Sequence, residues 1–196
     1  MTMCVLIRNA GSLAIAADNR AVYMQNGKVS HVVSNNIKKI IEWNGGYISG
    51  SGSADILENV KAFAAKNPIT SIYQIIEYLE HYKARNIIDN YWLDTTHLTA
   101  IYLTDAGDRA VYINANTEEP RALDDSSVLI FVKDIDTENF KELIKAEFHE
   151  NGFNIENVIE ILRSLFKFVS ERNETVSSTF DFAFQNYEMR GMIELK

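Results

Sequence analysis

A chain of 196 residues with 46% apolar side chains has the material for one sizeable core and reads as a single domain over residues 1–196. Its net charge of −8, with no basic stretch to neutralise phosphates, argues against nucleic acid and anionic membrane as partners. A lone cysteine, Cys4, rules out an internal disulfide framework and fits a reducing cytoplasm. No apolar run approaches the length of a membrane span, and an apolar start broken by Arg8 and Asn9 does not read as a signal peptide.

Short apolar runs at 3–8 and 13–17 flank Asn9-Ala10-Gly11-Ser12, which predicts a hairpin. The dipeptides Asn26-Gly27 and Asn44-Gly45 mark two more turns, giving strands near 22–25, 29–33, 40–43 and 46–49. Helical spacing then begins at Ser53. Ile56, Leu57, Val60, Phe63 and Ala64 share one face, and Asn67-Pro68 stops the helix. A second helix starts at a Thr70/Ser71 cap with Ile72, Ile75, Ile76, Leu79 and Tyr82 as its stripe. Strands at 98–103 and 110–113 surround Asp105-Ala106-Gly107-Asp108, and another runs over 128–132. Helices at 138–148 and 155–170 follow, the latter with Val158, Ile159, Leu162, Leu165, Phe166 and Val169 at helical spacing. Strands at 180–184 and 189–193 close the series. Strand blocks alternating with helix pairs predict an α+β fold, two antiparallel sheets covered by helices on their outer faces.

Thr2 directly follows Met1 and opens a run that reaches Asp18 and Arg20, with Lys39 at the end of a second run. A threonine acts as a nucleophile without a histidine when its own α-amino group is the base, which requires it to be the first residue of the mature chain. Removal of Met1 alone would create that terminus. A free α-amine has a pKa of about 8. A neighbouring ammonium such as Lys39 pushes it lower by like-charge repulsion, toward a base useful at neutral pH. Asp18 is expected to pair with Lys39, and Arg20 to add positive potential and fix its loop. Each residue also has a plainer reading. Asp18-Asn19-Arg20 is a possible polar turn, Lys38 and Lys39 possible edge charges, and Gly50 and Gly52 possible packing or turn glycines.

The stretch from Thr2-Met3-Cys4-Val5 through Ala16-Ala17-Asp18-Asn19-Arg20 resembles the start of proteasome β subunits and their short bacterial relatives, the N-terminal-nucleophile (Ntn) hydrolases. In that family a leading threonine precedes a hairpin ending in an A-x-D-x-R pattern. A lysine followed by an apolar residue comes next, here Lys39-Ile40, and then a small-residue turn into a helix, here Ser49-Gly50-Ser51-Gly52-Ser53-Ala54-Asp55. The likeness covers the first third of the chain and is topological beyond it. It implies a four-layer αββα sandwich and a threonine-type endopeptidase acting through an acyl-enzyme. It also implies a homo-oligomeric ring that takes peptides or unfolded protein, with a separate ATP-dependent unfoldase as a possible partner. It places the oxyanion donor at a backbone N–H in the turn, Gly52 or alternatively Gly50, and favours Lys39 over Lys38 because Lys39 directly precedes the Ile40-Ile41 run. Catalytic roles thus fall to Thr2, Asp18, Lys39 and Gly52.

The second half departs from the family pattern. The strand at 128–132 is followed by Lys133-Asp134-Ile135-Asp136, without the family's GSG-type serine. The later R-D-x-x-S-G stretch aligns with Arg172-Asn173-Glu174-Thr175-Val176-Ser177, so Asn173 and Val176 stand where an aspartate and a serine belong. Asn173 and Ser177 or Ser178 are left as supporting residues. A catalytically silent subunit and a small-molecule amidase on the same fold are the alternatives. Cys4 is a competing nucleophile whose plainer role is a small buried strand residue. His31, His81, His97 and His149 lack metal-ligand spacing, and Gly50-Ser51-Gly52 lacks the lysine and third glycine of a phosphate loop, so neither metal nor cofactor is expected. The aromatics Tyr73, Tyr78, Tyr82, Tyr91 and Trp92 read as core or subunit contacts.

Overall fold

The computed structural model describes residues 3–25, 28–43, 45–117 and 119–195. The first two strands, β1 (Cys4–Asn9) and β2 (Ser12–Asp18), form the expected hairpin. Its two turn residues, Ala10 and Gly11, have φ of 44° and 81°. Two successive left-handed residues give the backbone twist that suits a tight antiparallel hairpin.

This pair lies inside a five-stranded antiparallel sheet with order β10-β1-β2-β11-β12, where β10 is Ser127–Phe131, β11 Phe180–Gln185 and β12 Arg190–Leu195. A second five-stranded antiparallel sheet runs β5-β6-β7-β8-β9, from β5 (Ile41–Trp43) and β6 (Gly46–Ser51) to β7 (His97–Thr104), β8 (Gly107–Asn114) and β9 (Pro120–Ala122). The hairpin of β3 (Ala21–Gln25) and β4 (Lys28–Ser34) forms a two-stranded sheet of its own. With five helices, the described chain is a mixed α+β structure.

Alternation along β1 and β2 sends side chains into two different cores. Val5, Ile7, Ala14 and Ala16 join a cluster with α4 (Glu138–Asn151) and α5 (Ile155–Ser170). Cys4, Leu6, Leu13, Ile15 and Ala17 join a cluster that also takes Tyr47, Ile101 and Ala110 from the second sheet. Strands buried on both faces read as continuous apolar runs, which is how this hairpin looks in the sequence. A further cluster joins the second sheet to α1 (Ala54–Lys66) and α2 (Ile72–Arg85).

The helices form where the spacing indicates. Ser71 caps α2 with a reciprocal capping box to Gln74, satisfying two otherwise unpaired donors. Asn154 caps α5 by accepting the N–H groups of Glu156 and Asn157. All six stripe residues of α5 are buried, each stabilising by about 1.5–3 kcal/mol if otherwise exposed. Among them Phe166 stacks on Phe180, with ring centroids 4.3 Å apart, and so fixes the start of β11.

Two elements were not foreseen. The short helix α3 (Asn90–Thr95), capped by Asp89, and the three-residue β9 are too brief to show a period. The aromatic residues divide: Tyr78 and Tyr82 pack against the α1–α2 core, whereas Tyr73, Tyr91 and Trp92 are exposed in this chain. Among the described residues no helix is long and apolar enough to cross a membrane.

Candidate functional site

Asp18 ends β2 and is fully buried. A buried carboxylate persists only when its oxygens are paired, and here four donors reach it. Oδ1 accepts the Met3 N–H at 2.8 Å and the Lys39 ammonium at 3.0 Å. Oδ2 accepts the Arg20 N–H at 3.0 Å and the Ser177 N–H at 3.4 Å. Residues 3, 20, 39 and 177 therefore converge on one side chain. The strand ladder reinforces this, since the Asp18 N–H donates to the Met3 carbonyl at 3.2 Å.

Lys39 arrives just before β5, and the preceding segment is held to the end of β2. The Asn19 carbonyl accepts the Ile37 N–H at 2.9 Å, and the Asn19 carboxamide donates back to the Ile37 carbonyl at 3.3 Å. Lys39 is buried and Lys38 is exposed. The Lys39 ammonium donates to the Arg20 carbonyl at 2.6 Å as well as to Asp18. Burial pulls its pKa below the usual lysine value, and the adjacent Asp18 charge opposes that fall. An ammonium has three donors, and among the described residues two of them find an acceptor here.

Arg20 acts through its frame. Its Nε donates to Asn35 Oδ1 at 2.7 Å and its Nη1 to the Glu174 carbonyl at 3.0 Å, bridging the end of β4 to the loop after α5. Ser177 reaches Asp18 because β11 pairs with β2 and sets Phe180 opposite Asp18. The Ser177 hydroxyl accepts the Asn19 N–H at 3.0 Å and donates to the Thr179 carbonyl at 2.8 Å. Asn173 is not drawn in. Its carboxamide oxygen accepts the Thr175 N–H and hydroxyl, closing its own loop. Val176 is buried in the α4–α5 core, and Ser178 is exposed.

Gly52 and Gly50 both line a cleft of about 660 Å³ that also takes in Arg20, Val22, Lys39 and the first turns of α1. Gly52 has φ of 118°, and a Cβ there would lie 2.5 Å from the Thr96 Cα. A Cβ on Gly50 would lie 2.4 Å from the His97 carbonyl oxygen. Both positions therefore need glycine for close backbone approach, whatever else they do. Among the described residues the Gly52 N–H donates to no acceptor, whereas the next N–H, that of Ser53, is taken by the Thr96 hydroxyl at 2.9 Å.

Cys4 faces the core between the sheets, with its sulfur 3.3 Å from the Thr99 hydroxyl. Burial pushes its thiol up to about 11, which leaves it protonated and a poor nucleophile. Among the described residues no group of three or more His, Cys, Asp or Glu side chains is placed to hold a metal ion. Met1 and Thr2 lie outside the described residues, as do Asn26, Gly27 and Asn44 of the expected turns.

Three contributors were missed in the sequence. Asn19 holds both Ile37 and the Ser177 hydroxyl, and the Ser49 hydroxyl donates to the Lys39 carbonyl at 3.1 Å. Asp181 is nearly buried beside them on β11. Asn19 had a signal in its place between Asp18 and Arg20. No protein-family model matches this chain, and no curated protein matches it.

Proposed function

We propose that the chain is a threonine-type peptidase of the proteasome-like Ntn class, with Thr2 as nucleophile once Met1 is removed. The observation that carries this reading is the double use of Asp18 Oδ1, which binds both the Lys39 ammonium and the N–H of Met3. Met3 is peptide-bonded to Thr2, so the buried ion pair adjoins the residue that follows the nucleophile. The four-layer αββα sandwich belongs to the same reading. Its support is the placing of α4–α5 against one sheet, α1–α2 against the other, and a shared core of residues from both sheets.

In the proposed reaction the neutral α-amine of Thr2 takes the proton from its own hydroxyl, and Oγ forms a bond to the substrate carbonyl carbon. The carbonyl oxygen becomes an oxyanion, for which the Gly52 N–H is the proposed donor. The protonated α-amine then gives its proton to the departing amine as the C–N bond breaks, leaving an ester on Thr2. Water, deprotonated by the same α-amine, hydrolyses the ester. Lys39 favours the neutral amine by like-charge repulsion, and Asp18 holds Lys39 in place and opposes loss of its proton. Peptides or unfolded chains are the proposed substrates. A homo-oligomeric ring is the proposed assembly, supported by the exposed Tyr73, Ile87, Tyr91 and Trp92. A separate ATP-dependent unfoldase and a reducing cytoplasmic setting complete the proposal.

One observation favours a second reading, a silent subunit retained for assembly. Asn173 is bonded within its own loop and Val176 is buried, so neither supplies a polar group to Asp18. Intact mass of untagged protein, with peptide turnover by wild type and Thr2→Ala, separates the two. The peptidase reading expects loss of Met1, loss of turnover in the variant, and β-lactone or boronate labelling on Thr2 alone. Full turnover by pure Thr2→Ala protein would sink it.

A further inference from the structure

The cleft beside Lys39 contains a second buried lysine that the proposed chemistry does not use. On α1, Ala54, Glu58 and Lys61 follow one another at helical spacing and all line the cleft. Lys61 is buried, with only 8% of its side chain exposed, whereas the Glu58 side chain is 62% exposed. Lysine is almost never buried without a partner, and here the ammonium is held by Glu58 Oε1. That bond uses one of its three donors, and it is the only acceptor for them among the described residues. Val22, Met24, Ile37 and Trp92 give the same cleft apolar walls. Its depth thus carries an ammonium, and its rim carries that ammonium's carboxylate.

We propose that Lys61 is a specificity-determining residue that binds an acidic substrate side chain, so that the cleft favours peptides with Glu or Asp on the acyl side of the scissile bond. This inference rests on the peptidase reading above. An entering carboxylate replaces Glu58 as the partner of Lys61, and Glu58 swings into the water it already meets. No charge is left buried and unpaired by that exchange. A basic side chain has no such route, because it either faces the buried ammonium or takes Glu58 and leaves Lys61 without a partner, which is strongly unfavourable. The remaining rim carboxylates compete weakly. Asp55 is exposed and screened, and the Asp89 carboxylate already caps α3 by accepting the Tyr91 N–H at 2.8 Å.

The position of Lys61 next to the proposed catalytic pair fits this role. Lys39 and Lys61 line the same cleft, so two ammonium groups share one concave surface. A substrate carboxylate bound at Lys61 therefore occupies the same cleft as Lys39 and Gly52 of the proposed catalytic set.

The test uses three peptides identical except for Glu, Leu or Arg before a fluorescent aminocoumarin leaving group. Turnover is measured with Met1-free wild type, Lys61→Met, which keeps an apolar stem, and Glu58→Gln. The Glu-to-Arg ratio of kcat/KM within each protein cancels any general loss of activity. Wild type is expected to favour Glu over Arg by about tenfold or more. Lys61→Met should invert the order, because Glu58 is then unopposed, and Glu58→Gln should raise the ratio. In parallel, anisotropy with fluorescein-labelled versions of the same peptides reads binding to Thr2→Ala protein. Charge-ordered binding with no turnover by wild type would refute the peptidase reading and retain the subsite. An Arg preference in wild type, a ratio unmoved in Lys61→Met, or binding without charge order would overturn the role of Lys61.

Discussion

Two buried aspartates on neighbouring strands meet opposite treatment. Asp18 ends β2, and Asp181 lies beside it on β11, directly opposite Ala17. Both are almost wholly shielded from water, at 0% and 2% exposure. Four donors surround Asp18, one of them a full positive charge. Asp181 instead has one oxygen, Oδ2, without a hydrogen-bond partner among the described residues, and Glu194 opposite it across the β11–β12 ladder. Burial raises its pKa, with the Glu194 charge adding to the rise, while the Asn19 side chain, the Lys39 N–H and the Lys38 charge pull it back. Burial alone therefore does not define a carboxylate's role. Asp18 is a carboxyl met by four donors, and Asp181 is a carboxyl that its surroundings push toward the neutral form.

The largest effect expected from this contrast is at Asp18. Asp18→Ala strands the Lys39 ammonium and leaves the Met3, Arg20 and Ser177 N–H groups without their acceptor. A loss of about 3–5 kcal/mol is expected, because one partner of a buried ion pair is removed. Urea denaturation of the variant measures it. A loss below 1 kcal/mol would mean that Asp18 and Asp181 are not distinguished by partnering at all.

Next in size is the contrast between the two lysines. Lys39→Ala is expected to lower peptide kcat/KM by about a hundredfold or more, the range for losing control of an acid–base group. Lys38→Ala should stay within about twofold, as for an exposed charge. The Lys39→Ala deficit should narrow as pH rises past the ordinary amine value of about 8, because a neutral amine then forms without the ammonium's help. Equal effects of the two substitutions would show that the ammonium at Asp18 does not act on the nucleophile's amine.

The sequence made some of this legible and hid the rest for physical reasons. Local spacing predicts the β1–β2 hairpin, the four longer helices and the choice of Lys39 over Lys38, since each depends on alternation or helical period. The Asp18–Lys39 contact spans 21 residues and was reachable through the motif order. The Ser177 contact to Asp18 spans 159 residues and depends on β11 pairing with β2, which Phe166 stacking on Phe180 helps to fix. Asn173 and Ser177 both stand as supporting candidates in the sequence, and only the loop's own hydrogen bonds to Thr175 separate them. Lys61 had no signal at all in the sequence, because a lysine on a helix is ordinarily solvated and its burial follows from the cleft. Asp181 was hidden likewise, since nothing in Phe180-Asp181 announces that one of its oxygens lacks a partner.

The smallest expected effect tests Asp181 directly. A carboxyl whose folded-state pKa is raised binds protons more tightly in the native state than in the unfolded chain. Its contribution to stability is then fully present below its ordinary value of 3.8 and is lost as pH rises through the raised folded value. Asp181→Asn cannot ionise, so it removes that loss while keeping an oxygen toward Asn19 and the Lys39 N–H. The variant should match wild type in acid and gain on it toward neutrality, by up to about 1 kcal/mol, the usual scale of one imperfectly satisfied buried group. Urea midpoints collected from pH 3 to pH 8 supply the comparison. Parallel curves for the two proteins would show that Asp181 is ionised to the same extent folded and unfolded. In that case an unseen donor must satisfy Oδ2, and the two aspartates would be alike after all.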